Sequence, residues 1–425
     1  MAEQHKKQLS ITMLGMTTIN ILGPLAGLIK AADSTVRLKS VGLRSLKSGA
    51  DEVVDRDGSY GFDECVASAL KALPGQKIRA KILNTEKAKN NLFTSKVRAF
   101  LSRNIKSLLY SGKIKQQIEE SRKTSDVIHL HGLFWSPFHK ALSQKDYGPL
   151  IISCWGSDVL RTSDIKITEK QQQLLRRASC ITVSGPEFKE VVLSKYGRDL
   201  EDKIKFTIFG PDLQNIPEGD KEKGSKRFRE NNQISDEKIV IAIGHNGHPE
   251  GQHLELLKSV NCVGGEMRER LYVVLQMTYG CDEGYLNEVR AALKAYGLEG
   301  MVIDEYMSDE DVSDLRFTSD IFLYAPVSDA FSASVTQALA AGSVAILGSW
   351  LPYKTRSRAG FKYWEIDDPA GASQAITDVL SDWPKQKQVC VSNRKLASEF
   401  FDSSRLGGLW ISAYEDALKN YSSSK

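Results

Sequence analysis

Residues 328–342 read Ser-Asp-Ala-Phe-Ser-Ala-Ser-Val-Thr-Gln-Ala-Leu-Ala-Ala-Gly, and this stretch decides the fold. It follows the apolar run 321–326 and precedes the apolar run 344–348. The order predicts a buried strand, a polar loop, a helix and a second buried strand, which form one βαβ unit. The loop would open at the N-terminus of the helix, where free backbone N–H groups suit a phosphate.

Two side chains of this stretch are candidates for ligand binding. Asp329 lies in the polar loop, and Gln337 follows eight residues later. That separation is about two helical turns, so we expect both side chains on the same side. The alternative is a well-packed βαβ unit without a ligand, because any doubly wound domain contains several.

The size and composition of the chain indicate a globular protein of two domains. Its 425 residues are too many for one ordinary core. The apolar share of 41% and the charged share of 26% are typical of soluble proteins. The six cysteines are scattered without a Cys-x-x-Cys pair, which favours reduced thiols in the cytoplasm over disulfides or a zinc site.

Charge is distributed unevenly along the chain. Residues 1–212 carry 34 Lys and Arg against 22 Asp and Glu, a net +12. The remainder carries 23 against 31, a net −8. A basic half is typical of a region that meets a membrane surface, a lipid phosphate or nucleic acid. The alternative is that the two domains simply differ in charge.

The uncharged segment 8–29 is interpreted as the start of a domain. An export signal or a membrane span is the competing interpretation. Polar residues, three glycines and a proline interrupt the segment, so we expect a buried strand near 10–15 and a helix over 24–32.

Apolar runs that end in small or polar residues recur along both halves. They lie at 126–132, 149–158, 181–186, 204–212, 239–244, 271–277 and 302–304. Each is followed by a polar loop or a helical pattern, which predicts parallel sheets with their loops on one edge.

A charged, Gly-containing stretch at residues 215–236 is the predicted linker. It separates a first domain, residues 1–214, from a second domain, residues 237–400. Residues 401–425 are predicted as a C-terminal helix that can cross back to the first domain.

Residues 92–122 combine apolar residues at helical spacing with a lysine- and arginine-rich opposite face. This pattern predicts an amphipathic helix. Two interpretations are open: peripheral contact with an anionic membrane, or a surface helix packed on its own sheet.

Short motifs follow the strands in a fixed order. They are His129-x-His131-Gly132, Trp155-Gly156-Ser157-Asp158, Gly210-x-Asp212, and the Asp329 loop with Phe331 and Gly342. This order resembles that of the GT-B glycosyltransferases, especially family 4, over residues 10–400. The resemblance implies an α/β fold of two Rossmann-like parallel-sheet domains that face each other across a cleft. The acceptor would bind to the first domain and a nucleotide-sugar donor to the second.

The resemblance also implies site residues. Catalytic roles fall to Asp158, His131 and Asp329, the first two as acceptors of the hydroxyl proton if the reaction inverts configuration. Donor-binding roles fall to Gly244, His245, Asn246, His253, Tyr279, Ser328, Phe331, Ser332, Ala333 and Gln337. No metal and no cofactor are expected, because helix N-termini and basic residues hold the diphosphate in such enzymes.

Several positions depart from the family 4 pattern. Ala330 and Ser332 stand where glycines are usual, Gln337 replaces a glutamate, and Trp155 replaces a histidine. The loop 244–253 has no Arg or Lys, although it has three histidines that can substitute if protonated or hydrogen-bonding. The stereochemical outcome of the reaction therefore stays open.

The second domain is also similar to bacterial 4-acetamido-4,6-dideoxygalactosyltransferases. The similarity rests on 245–247 with 253–255, and on 276–280 followed by 285–289. It implies an inverting transfer onto a lipid-linked acceptor.

The predicted function is sugar transfer from a nucleotide-diphosphate sugar to an acceptor hydroxyl in bacterial surface glycan assembly. The expected location is the cytoplasm, with a possible place at the inner face of the membrane, and the acceptor is a glycan or a lipid-linked glycan. Nucleic acid is not the expected partner. The alternatives are an inactive GT-B scaffold, a sugar-nucleotide epimerase and a DNA-modifying glucosyltransferase.

Overall fold

A computed structural model describes residues 8–15, 19–42, 114–134, 136–210, 218–423 and 425. These residues form two six-stranded sheets in which every pair of neighbouring strands is parallel. The strand orders are β2-β1-β3-β4-β5-β6 and β12-β11-β10-β7-β8-β9. In both sheets the order reverses in the middle, as in doubly wound folds.

The first sheet and its helices come from the first half of the chain. Its strands are β1 (Ser10–Gly15), β2 (Arg37–Gly42), β3 (Val127–His131), β4 (Leu150–Ser153), β5 (Cys180–Val183) and β6 (Ile204–Phe206). The helices are α1 (Ile19–Ala32), α2 (114–124), α3 (Pro137–Gln144), α4 (Ser157–Leu160), α5 (Ile165–Arg177) and α6 (Pro186–Tyr196).

The second sheet and its helices come from the second half. Its strands are β7 (Ile239–Ile243), β8 (Leu271–Gln276), β9 (Gly300–Ile303), β10 (Ile321–Tyr324), β11 (Val344–Gly348) and β12 (Trp364–Ile366). The helices are α7 (Glu218–Asn231), α8 (His253–Asn261), α9 (Gly265–Glu269), α10 (Glu283–Ala295), α11 (Asp309–Thr318), α12 (Ala333–Ala341), α13 (Lys354–Arg358), α14 (Ala372–Ser381), α15 (Trp383–Phe400) and α16 (Ser403–Ser423).

Central strands of both sheets are buried along their whole length. Every residue of β3, β4 and β5 is buried, and the same holds for β7, β8, β10 and β11. Helices cover both faces of such sheets, so their strands are continuous runs of Val, Ile and Leu rather than alternating patterns. The prediction of two Rossmann-like parallel-sheet domains is confirmed.

The βαβ unit predicted around residues 328–342 is present as β10, α12 and β11. Strands β10 and β11 pair in parallel, with Ile321 opposite Val344. Ser332 caps the start of α12 and Gly342, in a left-handed conformation, ends it. The polar loop therefore lies at the carboxyl edge of the second sheet.

Most of the stretch predicted as a linker is helical. Helix α7 packs against α11, where Arg227 forms ion pairs with Glu310 and Asp314 and where Phe228 is buried. Composition alone suggested a linker because the segment is rich in charge and glycine. Partners far away in the sequence contact this helix, and the prediction that the segment links two domains stays a prediction.

The C-terminal helix α16 packs against α1 of the first domain. A Cβ added at Gly407 would lie 2.0 Å from the backbone oxygen of Leu28, so only glycine allows this close approach. Trp410 and Tyr414 are fully buried against the first sheet. The chain thus returns to the domain in which it began.

Only the end of the predicted basic helix 92–122 lies within the described residues. In α2 the side chains of Ile114 and Ile118 are buried in the core of the first domain. The rest of the prediction, 92–113, lies outside the described part of the chain. Among the described helices, none is both long enough and apolar enough to span a bilayer.

Candidate functional site

The two domains meet through the loops at the carboxyl ends of their strands. Gly156, after β4, has a φ of +120°, and a Cβ there would lie 2.7 Å from the Cβ of Ala330. Ala330 is buried among first-domain residues although it belongs to the second domain. Arg161 of the first domain donates hydrogen bonds to the hydroxyl and the carbonyl of Ser328, each at 3.4 Å. The crevice at such strand ends is where doubly wound proteins bind ligands.

A second contact lies at the side of the cleft. Glu187 of α6 pairs with Arg358 of α13 and accepts a hydrogen bond from Thr355 at 3.3 Å. Helix α13 is therefore also held against the first domain.

Asp329 organises that loop. Its Oδ1 accepts the backbone N–H of Ala330 at 2.8 Å. Its Oδ2 accepts from the phenols of Tyr324, at 3.2 Å, and Tyr353. Burial, and then the charge of Asp329, raise the pKa of both phenols well above the usual value, so both remain protonated donors.

Beside this loop lies a buried cation, Arg356, which the sequence analysis did not predict. Its guanidinium lies 3.7 Å from the ring centroid of Phe331 and 4.5 Å from that of Tyr353. One terminal nitrogen donates to the carbonyl of Ser332 at 2.8 Å and to the hydroxyl of Thr336 at 2.9 Å. Stacking between two aromatic faces compensates for much of the lost hydration. Arg356 therefore fixes Phe331 and the start of α12.

The loop after β7 joins the polar loop through backbone and ring contacts. The N–H of Val327 donates to the carbonyl of Glu250 at 2.8 Å. The ring of His245 lies 5.4 Å from that of Tyr324, centroid to centroid. Asn246 bonds His245 at 2.9 Å, and its side-chain oxygen accepts the N–H of His248. The structure thus brings the two predicted donor-binding segments together.

Two histidines of this loop, His245 and His253, have lowered pKa values. Burial, and secondarily the charge of Arg316, lower the pKa of His245 to about 3. Burial lowers the pKa of His253 to about 4. Both imidazoles are therefore neutral at pH 7, and of the two expected ways of substituting for Arg and Lys only hydrogen bonding stays open to them. His253 instead packs inside the loop, with Nδ1 3.2 Å from the hydroxyl of Tyr285.

Tyr279 lies at the open side of this cluster. Its side chain is 55% exposed, and its carbonyl accepts the N–H of Gly247 at 2.7 Å. Its ring is edge-on to His245 at 6.4 Å. Tyr279 thus faces solvent, as does Ala333 at the start of α12 among the other predicted donor-binding residues.

Gln337 does not contact Asp329 through its side chain. Its Oε1 accepts from Nε of Arg316 at 3.4 Å, while a terminal nitrogen of Arg316 donates to Oε1 of Gln276 at 2.7 Å.

Arg316 is only 1% exposed. It is the second buried cation that sequence reasoning missed. A signal was present, since Arg316 follows Leu315 and lies four residues after Val312 on the inner face of α11.

In the first domain, Asp158 joins two loops. Its carboxylate accepts the backbone N–H groups of Leu133 at 2.7 Å, Trp155 at 3.0 Å and Gly156 at 2.8 Å. The residue is fully buried, and burial raises its pKa. With its oxygens occupied by three donors, the carboxylate holds the loops in place. The geometry gives no support to the predicted role of Asp158 as a proton acceptor.

His129 and His131 differ in their partners. His129 bonds the hydroxyl of Tyr414 at 2.8 Å through Nδ1 and that of Ser153 at 2.7 Å through Nε2. His131 has no hydrogen-bond partner on either nitrogen and stacks on Trp155 with centroids 5.8 Å apart. Burial lowers the pKa of His131 to about 3, so it is neutral at pH 7. Of the two, only His131 has free ring nitrogens.

A small, mainly apolar cavity lies where the two domains meet. Trp155 stacks on Phe209 with centroids 4.8 Å apart, and Phe331 closes the cavity from the second domain. The remaining lining residues are Cys154, Thr182, Val183, Ser184, Thr207 and Ile208. This aromatic wall marks the first-domain side of the cleft.

The described residues include no group of three or more His, Cys, Asp or Glu side chains arranged to hold a metal ion. The expectation that no metal is required stays a prediction. The cysteines among these residues are free thiols.

Neither a protein-family model nor a curated protein sequence matches this chain. Solved structures do match. Anabaena HepE in complex with UDP and glucose has a TM-score of 0.62 at 12% identity, over 95% of this chain and 99% of its own. A glycosyltransferase from Rickettsia africae has a TM-score of 0.64 at 14% identity, over 97% and 100%. Sucrose-phosphate synthase from Thermosynechococcus elongatus has a TM-score of 0.65 at 12% identity, over 96% and 98%.

These neighbours are glycosyltransferases of the GT-B fold, so the predicted fold is confirmed. At such identity the likeness shows the fold alone. The finer resemblances, to family 4 and to the 4-acetamido-4,6-dideoxygalactosyltransferases, stay predictions.

Proposed function

We propose that this protein is a glycosyltransferase that moves a sugar from a nucleotide-diphosphate sugar to an acceptor hydroxyl. The main support for the proposal is the position of the polar loop 328–333 at the N-terminus of α12. This loop faces Gly156 and Arg161 of the first domain across the cleft. A donor on α12 and an acceptor on the first domain would then meet in one crevice.

The donor side has the parts that a sugar diphosphate needs. The N-terminus of α12 offers backbone N–H groups for a phosphate, and Asp329 holds the adjoining loop in place through Ala330, Tyr324 and Tyr353. UDP and glucose are bound to the structurally similar HepE. Helix N-termini and side-chain cations would stabilise the departing diphosphate without a metal. Turnover in the presence of a chelator is therefore expected to equal turnover without it.

The acceptor side is the aromatic wall of Trp155 and Phe209 with His131 beside it. Aromatic side chains with a few polar groups are the usual lining of small-molecule sites. Of the two predicted proton acceptors, His131 has ring nitrogens without a hydrogen-bond partner, whereas three backbone N–H groups already bond the carboxylate of Asp158. We therefore assign the proton-accepting role to His131 if the reaction inverts. The acceptor would be a glycan or lipid-linked glycan of the bacterial surface.

An inactive scaffold is the second candidate. It is favoured by the loop 244–253, which has no Arg or Lys and whose His245 and His253 are neutral. Such a protein would bind a nucleotide, or none, without transferring a sugar.

A panel of nucleoside diphosphates in a thermal-shift assay tests the proposal first. A true ligand raises the melting temperature by mass action, by an amount that grows with its concentration. Incubation with several nucleotide-sugars, followed by product analysis, comes second. A melting temperature that no nucleoside diphosphate changes would refute the donor site. Binding without hydrolysis or transfer for every sugar tested would favour the scaffold.

A further inference from the structure

Arg316 is a buried cation without a counter-charge. It lies in α11 and is 1% exposed. Its two hydrogen-bond partners, Gln276 and Gln337, are neutral amides, and one terminal nitrogen has no partner at all. Within the part of the chain that the structure describes, no carboxylate pairs with it.

A second arginine that contacts α11, Arg227 of α7, has charged partners. Asp314, two residues before Arg316 in α11, is buried and pairs with Arg227. Taking a charge out of water is costly unless it is paired, and an unpaired buried charge is therefore rare. Arg227 is half exposed and has a carboxylate partner, whereas Arg316 is buried with two amides and the ring of Phe322, 5.2 Å from its guanidinium.

The groups around Arg316 come from several strand ends. Gln276 is the last residue of β8, and Gln337 lies in the second turn of α12. The charge of Arg316 acts on His245, just after β7, and on Tyr279, just after β8. These are the carboxyl ends where the proposed donor site lies. Tyr279, half exposed, is the member of this group that faces solvent.

We propose that Arg316 binds the diphosphate of the donor, with Gln276 and Gln337 holding its guanidinium in place. The inference rests on the proposed function and deepens it. Arg316 would supply the positive charge that the loop 244–253 lacks. Its unpartnered nitrogen donates a charge-assisted hydrogen bond to a phosphate oxygen, and these are stronger than neutral ones. The ligand then provides the missing counter-charge.

The test is calorimetric titration of the intact protein and three variants. Arg316→Met removes the charge and keeps most of the length of the side chain. Arg316→Lys keeps the charge and loses the forked geometry. Arg227→Met is the matched control, because it removes an arginine that is paired with Asp314 and Glu310. The ligands are inorganic pyrophosphate, the nucleoside diphosphate that stabilises the wild type most, the matching nucleoside, and a uronic acid linked to the same nucleoside diphosphate.

Arg316→Met is expected to weaken binding of the diphosphate and of pyrophosphate about tenfold to a hundredfold, because it removes one charge-assisted hydrogen bond. The nucleoside is expected to bind as in the wild type, and Arg316→Lys to lie between. Arg227→Met is expected to change none of these affinities. If Arg316→Met does not fold, the same selective loss in Arg316→Lys supports the proposal.

Three outcomes overturn the inference. Equal diphosphate affinity in wild type and Arg316→Met leaves the donor site standing and removes Arg316 from it. Parallel loss of nucleoside and diphosphate binding assigns Arg316 a structural role. Loss confined to a nucleotide-linked uronic acid, with the plain diphosphate unaffected, assigns it to a sugar carboxylate. By contrast, Arg316-dependent binding of pyrophosphate without any nucleotide binding supports the anion site and contradicts the proposed function.

Discussion

Buried charged groups at the carboxyl edges of the two sheets differ in whether all of their polar atoms have hydrogen-bond partners. In the first domain, Asp158 has three backbone donors, so a charged group is saturated by the protein itself. In the second domain, Arg316 and Arg356 are buried with nitrogens that have no partner. A saturated group stabilises the fold, whereas an unsaturated one is available to a ligand. The difference indicates that the first edge is chiefly a scaffold and the second chiefly a binding surface.

Replacing Asp158 is expected to have the largest effect. Asp158→Ala leaves three buried N–H groups without an acceptor, so it should lower the free energy of unfolding by roughly 3–5 kcal/mol. Chemical denaturation measures it. The matched control is Asp164→Ala, at the exposed start of α5, where the carboxylate also accepts backbone N–H groups and where the loss should be about 1 kcal/mol. Equal, small losses would show that the three backbone donors of Asp158 contribute little to stability, which would contradict the structural role given to the first sheet edge.

Acid is expected to destabilise the protein through its buried histidines. In the folded chain the pKa of His131 is about 3 and that of His253 about 4, both below the ordinary value of 6.5. The unfolded chain therefore binds more protons, so this stability is present above about pH 6.5 and is lost as pH falls towards the folded values. By pH 5 each histidine should cost about 2 kcal/mol.

Urea unfolding between pH 7 and pH 5 checks this dependence. His131→Asn in the first domain and His253→Asn in the second should each reduce the loss of unfolding free energy between pH 7 and pH 5 by about 2 kcal/mol, the contribution of one histidine. A profile that neither substitution changes would show that other groups control acid stability.

Asp329→Ala and Gln337→Ala are expected to weaken nucleotide-sugar binding without unfolding the protein. Asp329 orders the polar loop through Tyr324 and Tyr353, and Gln337 holds Arg316, so a loss of about tenfold in affinity is expected for each. Calorimetry measures the affinity, and Gln374→Ala on the surface of α14 serves as control. Unchanged donor affinity in both variants would remove the donor site from this sheet edge.

The smallest expected effect concerns the membrane. Basic residues near an anionic surface contribute about 1 kcal/mol each, and salt screens them. Vesicle co-sedimentation should show weak binding to anionic lipid that fades in high salt. The binding should fall when Lys106, Lys113 and Lys115 become Glu. A charge-matched control replaces three exposed lysines of the second domain with Glu: Lys258, Lys294 and Lys395. No binding at low salt would exclude the contact and favour a soluble acceptor.

The fold could be predicted from the sequence because strands buried on both faces are continuous apolar runs. The loop at residues 328–333 could be placed for the same reason, since it lies between two such runs. Helix α7 could not, because its stability depends on ion pairs with α11 rather than on its own composition.

The site was harder to predict than the fold. Asp158 was expected at the cleft, but its three donors come from two loops that only the folded chain brings together. Arg316 and Arg356 lie outside the quoted motifs, 13 residues before and 27 residues after Asp329. Motif order identifies loops at strand ends, whereas it does not show which distant helices place a charge beneath them.

The most direct test of the account is a crystal structure of the protein with the nucleoside diphosphate that stabilises it most. We predict that the diphosphate lies at the N-terminus of α12, within hydrogen-bond distance of Arg316, with Tyr279 and His245 beside the nucleotide. A diphosphate bound instead at the first-domain loop of Gly156 and Asp158, with the second-domain edge unchanged, would contradict it.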